Sequence, residues 1–149
     1  MNRAIEIAAA NAAAGLGPFG AVVVRGDKII AEGTNQVTST FDPTAHAEIV
    51  AIRNACDVMG SFQLTGCELY ASCEPCPMCL GAIYWARPDR VYYASTRHDA
   101  AAAGFDDDYI YTELAVAPGD RQLKMTRIIR DEASEPFRVW TENRDRIPY

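Results

Sequence analysis

Cys76 and Cys79 stand three residues apart in the run Cys73-Glu74-Pro75-Cys76-Pro77-Met78-Cys79. Upstream, Thr44-Ala45-His46-Ala47-Glu48 offers an imidazole and, two residues beyond it, a carboxylate. Two thiols and an imidazole suit zinc. Three such ligands leave one position for water, whereas a structural zinc site closes its shell with four protein ligands. Any fold that uses this set must bring the two stretches together, with Glu48 beside the metal as an acid–base group.

Spacing says where they meet. Residues two apart on a helix diverge, so His46 and Glu48 reach one metal only if it lies beyond a helix's first turn. Cys76 and Cys79 share a face, again at a first turn. The expectation is a zinc ion between two helix N-termini, whose partial positive charge and unpaired N–H groups favour thiolates. Bound zinc lowers its water's pKa to about 7. Glu48 would then carry the water's proton to a leaving nitrogen in hydrolysis of an amidine-like C–NH2. Cys73 or His98 would complete a closed structural site; Cys73 is read instead as packing behind the ligands, and Cys56 and Cys67 as core residues.

The bulk properties agree with a small metalloenzyme. At 149 residues the chain is expected to form one domain, 1–149, with a full core. Five cysteines, three of them crowded into one turn region, argue for metal binding in a reducing compartment rather than a disulfide framework. No apolar run approaches the ~20 residues of a membrane span, and no leader pattern opens the chain, so a cytoplasmic location is expected. The net charge of -6, from 14 basic and 20 acidic residues, suits a small uncharged substrate better than a nucleic acid, whose phosphates demand Lys and Arg.

Helical periodicity is expected over 2–14, with Ile5, Ala8, Ala9 and Ala12 recurring and Gly15 as the stop. Strands at 19–25 and 28–34 flank a Gly26-Asp27 turn. The stretch 37–41 reads as irregular. A helix over 42–59 is capped by Asp42 or Thr44 and buries Ile49, Ile52, Cys56 and Met59. A strand at 68–72 precedes a helix over 75–86, apolar all round and so expected to be buried. A strand at 90–94, a short helix at 99–103, a last strand at 123–129 and a helix at 134–143 anchored by Phe137 and Trp140 complete the chain. This order predicts an α/β fold: a three-layer α/β/α sandwich around a mixed, mostly parallel five-stranded sheet, with the hairpin as its antiparallel pair.

Taken together, these motifs resemble the cytidine/deoxycytidylate deaminase superfamily, whose signature is His-x-Glu followed by Pro-Cys-x-x-Cys. Within it the chain is most similar to the bacterial guanine deaminases. Gly17-Pro18-Phe19-Gly20-Ala21, the stretches around His46 and Cys76, Gly81-Ala82-Ile83-Tyr84-Trp85-Ala86, Ala103-Gly104-Phe105-Asp106-Asp107 and the terminal Tyr149 carry the likeness. The resemblance implies a cytidine-deaminase-like fold, one zinc ion on His46, Cys76 and Cys79, and conversion of guanine to xanthine and ammonia. Zinc-bound hydroxide would attack C2, with Glu48 as proton shuttle. It also implies that Asn35 hydrogen-bonds the purine, Phe19 packs on the ring, the backbone N–H of Ala47 faces it, and Asp107 selects the substrate's donor edge. Relatives form homodimers, which implies that a segment of about 131–149 crosses to the neighbour and Tyr149 closes the partner's site. Leu16 departs from the family's usual glycine.

Two other readings compete. One is a sister deaminase acting on guanosine, cytosine, cytidine, a triazine or tRNA adenosine; net acidity weighs against tRNA. The other is a non-catalytic, zinc-stabilised module, which has no need of a buried carboxylate beside its metal.

Overall fold

The computed structural model describes residues 1–149 and divides into two units, Met1–Thr112 and Glu113–Tyr149. The first is built on a hairpin. β1 (Gly20–Arg25) and β2 (Lys28–Thr34) turn at Gly26, whose φ of +58° needs no Cβ, and their register slips between Val23 and Val24. β3 (Cys67–Cys73) pairs antiparallel with the other side of β1, and β4 (Arg90–Ser95) lies parallel to β3. The sheet order is β2-β1-β3-β4.

The sheet is mixed, as expected, but has four strands rather than five, and only one of its pairs is parallel. The strand–helix–strand rule does make β2 and β3 run the same way. They are not neighbours, however, because β1 lies between them and opposes both. The expected strand at 123–129 has no ladder partner and forms no strand. Its Leu123, Met125, Ile128 and Ile129 are all exposed. Alternating side chains can specify a face, but a strand also requires N–H and C=O partners.

Two glycines show how helices cover both faces. A Cβ on Gly20 would run into the Ala4 carbonyl and the Ala8 amide nitrogen of α1 (Asn2–Ala13). A Cβ on Gly33 would run into the Ala47 carbonyl and the Ala51 nitrogen of α3 (Ala47–Met59). Gly33 pairs with Ala21, which alternates in facing with Gly20, so α1 and α3 lie on opposite faces. The three-layer arrangement therefore holds within the first unit. α1 buries Ala4 and Ala8 rather than the whole expected stripe; Ile5 is exposed. Between the sheet and α3 lies the core of Val23, Ala51, Ile52, Leu64, Leu69 and Ile83.

The short helices depart from expectation in instructive ways. Residues 37–41 hold a one-turn helix, α2 (Val37–Thr40), stopped by Phe41 at φ 56°. α3 begins at Ala47, with His46 at its N-cap. Asp42 caps a preceding turn instead, accepting from the Thr44 N–H at 2.8 Å and its hydroxyl at 2.7 Å. α4 (Pro77–Ala86) buries Cys79, Ile83 and Ala86 but exposes Tyr84 and Trp85, so its expected full burial is corrected: the first unit covers one side of it only. α5 (Arg97–Ala102) opens on a reciprocal Thr96–Asp99 capping box. The helix after it, α6 (Asp107–Ala115), was not anticipated, although Asp107 and Asp108 supply the acidic first turn that favours a helix start.

The second unit carries a 3-10 turn (Asp131–Ser134) and α7 (Glu135–Glu142). Phe137, expected as an anchor, is exposed, and Trp140 meets the Tyr149 ring edge-on at 6.4 Å. No helix of the chain is long and apolar enough to cross a membrane.

The close approach at Gly33 gives a direct test. Gly33→Ala is expected to destabilise the protein by about 1–3 kcal/mol through overpacking. Gly81→Ala, where a Cβ meets open space on exposed α4, is expected to be neutral or to stabilise by up to ~1 kcal/mol. Chemical-denaturation midpoints of the two variants would check the pair.

Candidate active site

Each of two helices starts on a sulfur or imidazole residue instead of a Ser, Asp or Asn cap. His46 is the N-cap of α3 and Cys76 the N-cap of α4, both with extended backbone and neither N-terminus capped by a side chain. Cys76 is held extended because Pro77 follows it, and Pro77 fits the first helical position, where no N–H is needed. The first-turn N–H groups of both helices make this a place where negative charge is favoured, and two of them already serve it: the Glu48 N–H bonds its own carboxyl and the Cys79 N–H bonds the Cys76 sulfur.

The arrangement brings the expected residues together. The ligand atoms of His46, Cys76 and Cys79 all lie within 4.8 Å of one another, with His46 Nδ1 3.5 Å from Cys76 Sγ. Zinc bonds of about 2.0–2.3 Å in a tetrahedron require ligand atoms roughly 3.3–3.8 Å apart; the His46–Cys76 spacing of 3.5 Å falls in that range, and one imidazole with two thiols is a donor set that suits the ion. Cys73 turns elsewhere: its thiol donates to the Thr96 carbonyl at 3.5 Å. His98 is exposed on α5 and does not join the group. The set therefore has three members.

Electrostatics match the geometry. The hydrogen bond from Cys79 holds Cys76 at about 4, with further help from His46 and against the cost of burial. Cys79 is raised, first by its hydrogen bond to Cys76 and then by burial. Glu48, the second residue of α3, is buried, and that burial pushes its carboxyl up to about 7. A group so poised gives and takes a proton near neutral pH.

His46, Glu48 and Cys76 line a cleft of about 400 Å³, within the range of small-molecule sites. Phe19, Asn35 and Asp107 line it too. Asn35 is buried; its Oδ1 accepts from the Val37 N–H at 3.3 Å, which leaves the Nδ2 donor for a ligand. Asp107 is raised by burial and by nearby Cys76. Ala47 is buried between His46 and Glu48, with its side chain away from the lining. Tyr149 belongs to the second unit.

Several contributors were missed. Phe105 also lines the cleft and meets Phe19 edge-on, with ring centroids 4.8 Å apart. Glu74 reaches the same lining from the turn before Cys76. Asn11 of α1 donates to the carbonyls of Gly17 at 2.7 Å and Asn35 at 2.9 Å, tying two cleft segments together. Phe105 and Glu74 stand inside recognised motifs, but nothing local distinguishes them from spacers. Asn11 had the visible signal of a polar residue in an alanine-rich helix.

These features suit hydrolysis at a metal: three candidate ligands, a buried carboxylate and an adjoining cleft. Residues 1–95 match the cytidine and deoxycytidylate deaminase zinc-binding region, and the chain belongs to that family. It is 53% identical over 141 residues to the guanine deaminase of Bacillus subtilis, covering 94% of this chain and 90% of that one. A crystal structure of B. subtilis guanine deaminase superposes with a TM-score of 0.96 at 51% identity, covering 99% of this chain and 95% of the other. The tRNA-specific adenosine deaminase of Haemophilus influenzae is 40% identical over 150 residues, covering 97% of this chain and 82% of its own.

Cys76→Ala is expected to abolish zinc retention through gel filtration, because two ligands cannot hold the ion at this site. Cys73→Ala is expected to keep the wild-type zinc content. Metal analysis of both purified variants checks the three-ligand set.

Proposed function

We propose that this protein is a zinc-dependent hydrolase that converts guanine and water to xanthine and ammonia. The observation that carries the reading is that Asp107 and Asn35 line the same cleft as His46, Cys76 and Glu48. His46, Cys76 and Cys79 would hold one zinc ion per chain, which when bound would activate a water near neutral pH.

The protein's groups do the rest. Glu48 takes the proton from that water as the oxygen bonds to C2 of the base. It delivers that proton to the ring, then takes the proton of the newly bonded hydroxyl and passes it to the 2-amino group, whose C–N bond breaks to release ammonia as C2 becomes a carbonyl. Asp107 accepts from the substrate's donor edge, since guanine's N1–H and 2-amino group both donate. Asn35 offers its amide donor to an acceptor of the ring. Phe19 packs on the base, and the Ala47 N–H, at the positive end of α3, faces it.

The tRNA-adenosine reading is weaker on the same chemistry. Adenine's N1 is an acceptor and would oppose the Asp107 carboxylate, and a net charge of -6 disfavours a polyanion. A structural zinc module leaves buried Glu48 without purpose. Five unpaired cysteines suit a reducing cytoplasm. A homodimer that exchanges residues 131–149, placing Tyr149 over the partner's cleft, is supported by the exposure of Tyr84 on the first unit and, separately, of Phe137 and Ile147 on the second.

Ammonia release from zinc-loaded protein tests the reading on guanine beside guanosine, adenine, cytosine and cytidine. Turnover of guanine with little of the others is expected. Glu48→Gln is expected to retain zinc while losing roughly 10²–10⁴-fold in kcat. Guanine turnover surviving that substitution would remove Glu48 from the mechanism, and preference for guanosine or cytidine would discard the substrate assignment.

A further inference from the structure

Asp107 stands on a helix that has little to hold it. α6 has no buried residue, so no core packing fixes where its first turn lies. A carboxylate that selects a substrate by hydrogen bonding must nonetheless be placed within a fraction of an ångström.

A polar cluster on Arg97 supplies the missing restraint. The Arg97 guanidinium lies 4.7 Å from the centroid of the Tyr111 ring. Its Nε is 3.3 Å from Asp108 Oδ1, and a terminal nitrogen is 3.9 Å from Glu74 Oε1. The Arg97 backbone N–H also donates to Glu74 Oε2 at 3.0 Å. Tyr111 in turn donates its hydroxyl to the Pro75 carbonyl at 2.8 Å. Asp107 and Tyr111 are four apart and Asp108 and Tyr111 three apart, so all three lie toward one side of α6. Glu74 and Pro75 immediately precede Cys76.

We propose that Arg97 is a positioning residue that clamps the first turn of α6 to the Glu74-Pro75 turn and so sets where the Asp107 carboxylate stands in the cleft. The consequence is substrate selection, and it rests on the reading of Asp107 given above. An arginine is required because a planar guanidinium stacks on a ring and meets two carboxylates at its edges at once. A lysine ammonium is a point charge without that geometry. The clamp also explains why Glu74 belongs to the cleft-lining turn: it joins the two halves of the site.

The test compares zinc-loaded wild type with Arg97→Gln, Arg97→Lys, Asp107→Ala and the Arg97→Gln/Asp107→Ala double variant. Guanine kinetics, zinc content and amide hydrogen exchange over residues 105–112 are measured. Arg97→Gln is expected to keep its zinc, lose roughly ten- to a hundredfold in kcat/KM, chiefly through KM, and exchange faster over α6. Arg97→Lys should be impaired similarly. In the Asp107→Ala background, Arg97→Gln should cost less than about twofold, since both act through one carboxylate. Losses that multiply in the double variant, loss of zinc, or rescue by lysine would overturn the proposal. Should the wild type fail to turn over guanine, the substrate reading falls while the exchange data still decide the clamp. Faster exchange in α6 of Arg97→Gln supports it, and unchanged exchange refutes it.

Discussion

Two helix N-termini aimed at one point are the constraint on which the site depends. A helix start leaves N–H groups that must find partners, and the usual solution is a Ser, Thr, Asp or Asn side chain. Here both N-cap positions are occupied by candidate ligands, His46 and Cys76. The positive ends of α3 and α4 then face the same small volume, where thiolate charge is favoured and a buried carboxylate can sit close by. The sheet and the glycine contacts serve that end. Gly33 lets α3 lie directly on β2, and α3 carries both His46 and Glu48.

The meeting of His46, Cys76 and Cys79 at two helix starts was legible from residue spacing alone. His46 and Glu48 could not share a helix face, and Cys76 and Cys79 could, so a metal beyond two first turns was the remaining geometry. The hairpin was equally legible from Gly26-Asp27 between valine-rich and isoleucine-rich runs. The sheet's connectivity was harder. Strand–helix–strand alternation correctly makes β2 and β3 parallel, yet nothing local says that β1 separates them. The unpaired 123–129 stretch failed for a related reason: side-chain pattern reports a face, not a ladder partner.

The cleft divides along the same line. Asn35, Phe19 and Asp107 were named through family resemblance, and the geometry places all three around the cleft. Their supports were invisible because they act across the fold. Asn11 bridges Gly17 and Asn35 from a different helix, and Arg97 reaches Glu74 over 23 residues of chain. α4 shows the opposite error. Its all-round apolarity implied burial, but Tyr84 faces outward, because a helix with apolar residues on every side still packs on one side only.

The central claim is that the zinc shell holds two thiolates and one imidazole and keeps a fourth position for water. X-ray absorption at the zinc edge of the loaded wild-type protein tests it most directly. The account predicts two sulfur scatterers at about 2.3 Å and two nitrogen or oxygen scatterers at about 2.0–2.1 Å, only one with the outer-shell pattern of an imidazole. Three sulfurs, or a second imidazole, would mean that Cys73 or His98 closes the shell, and the site would be structural rather than catalytic.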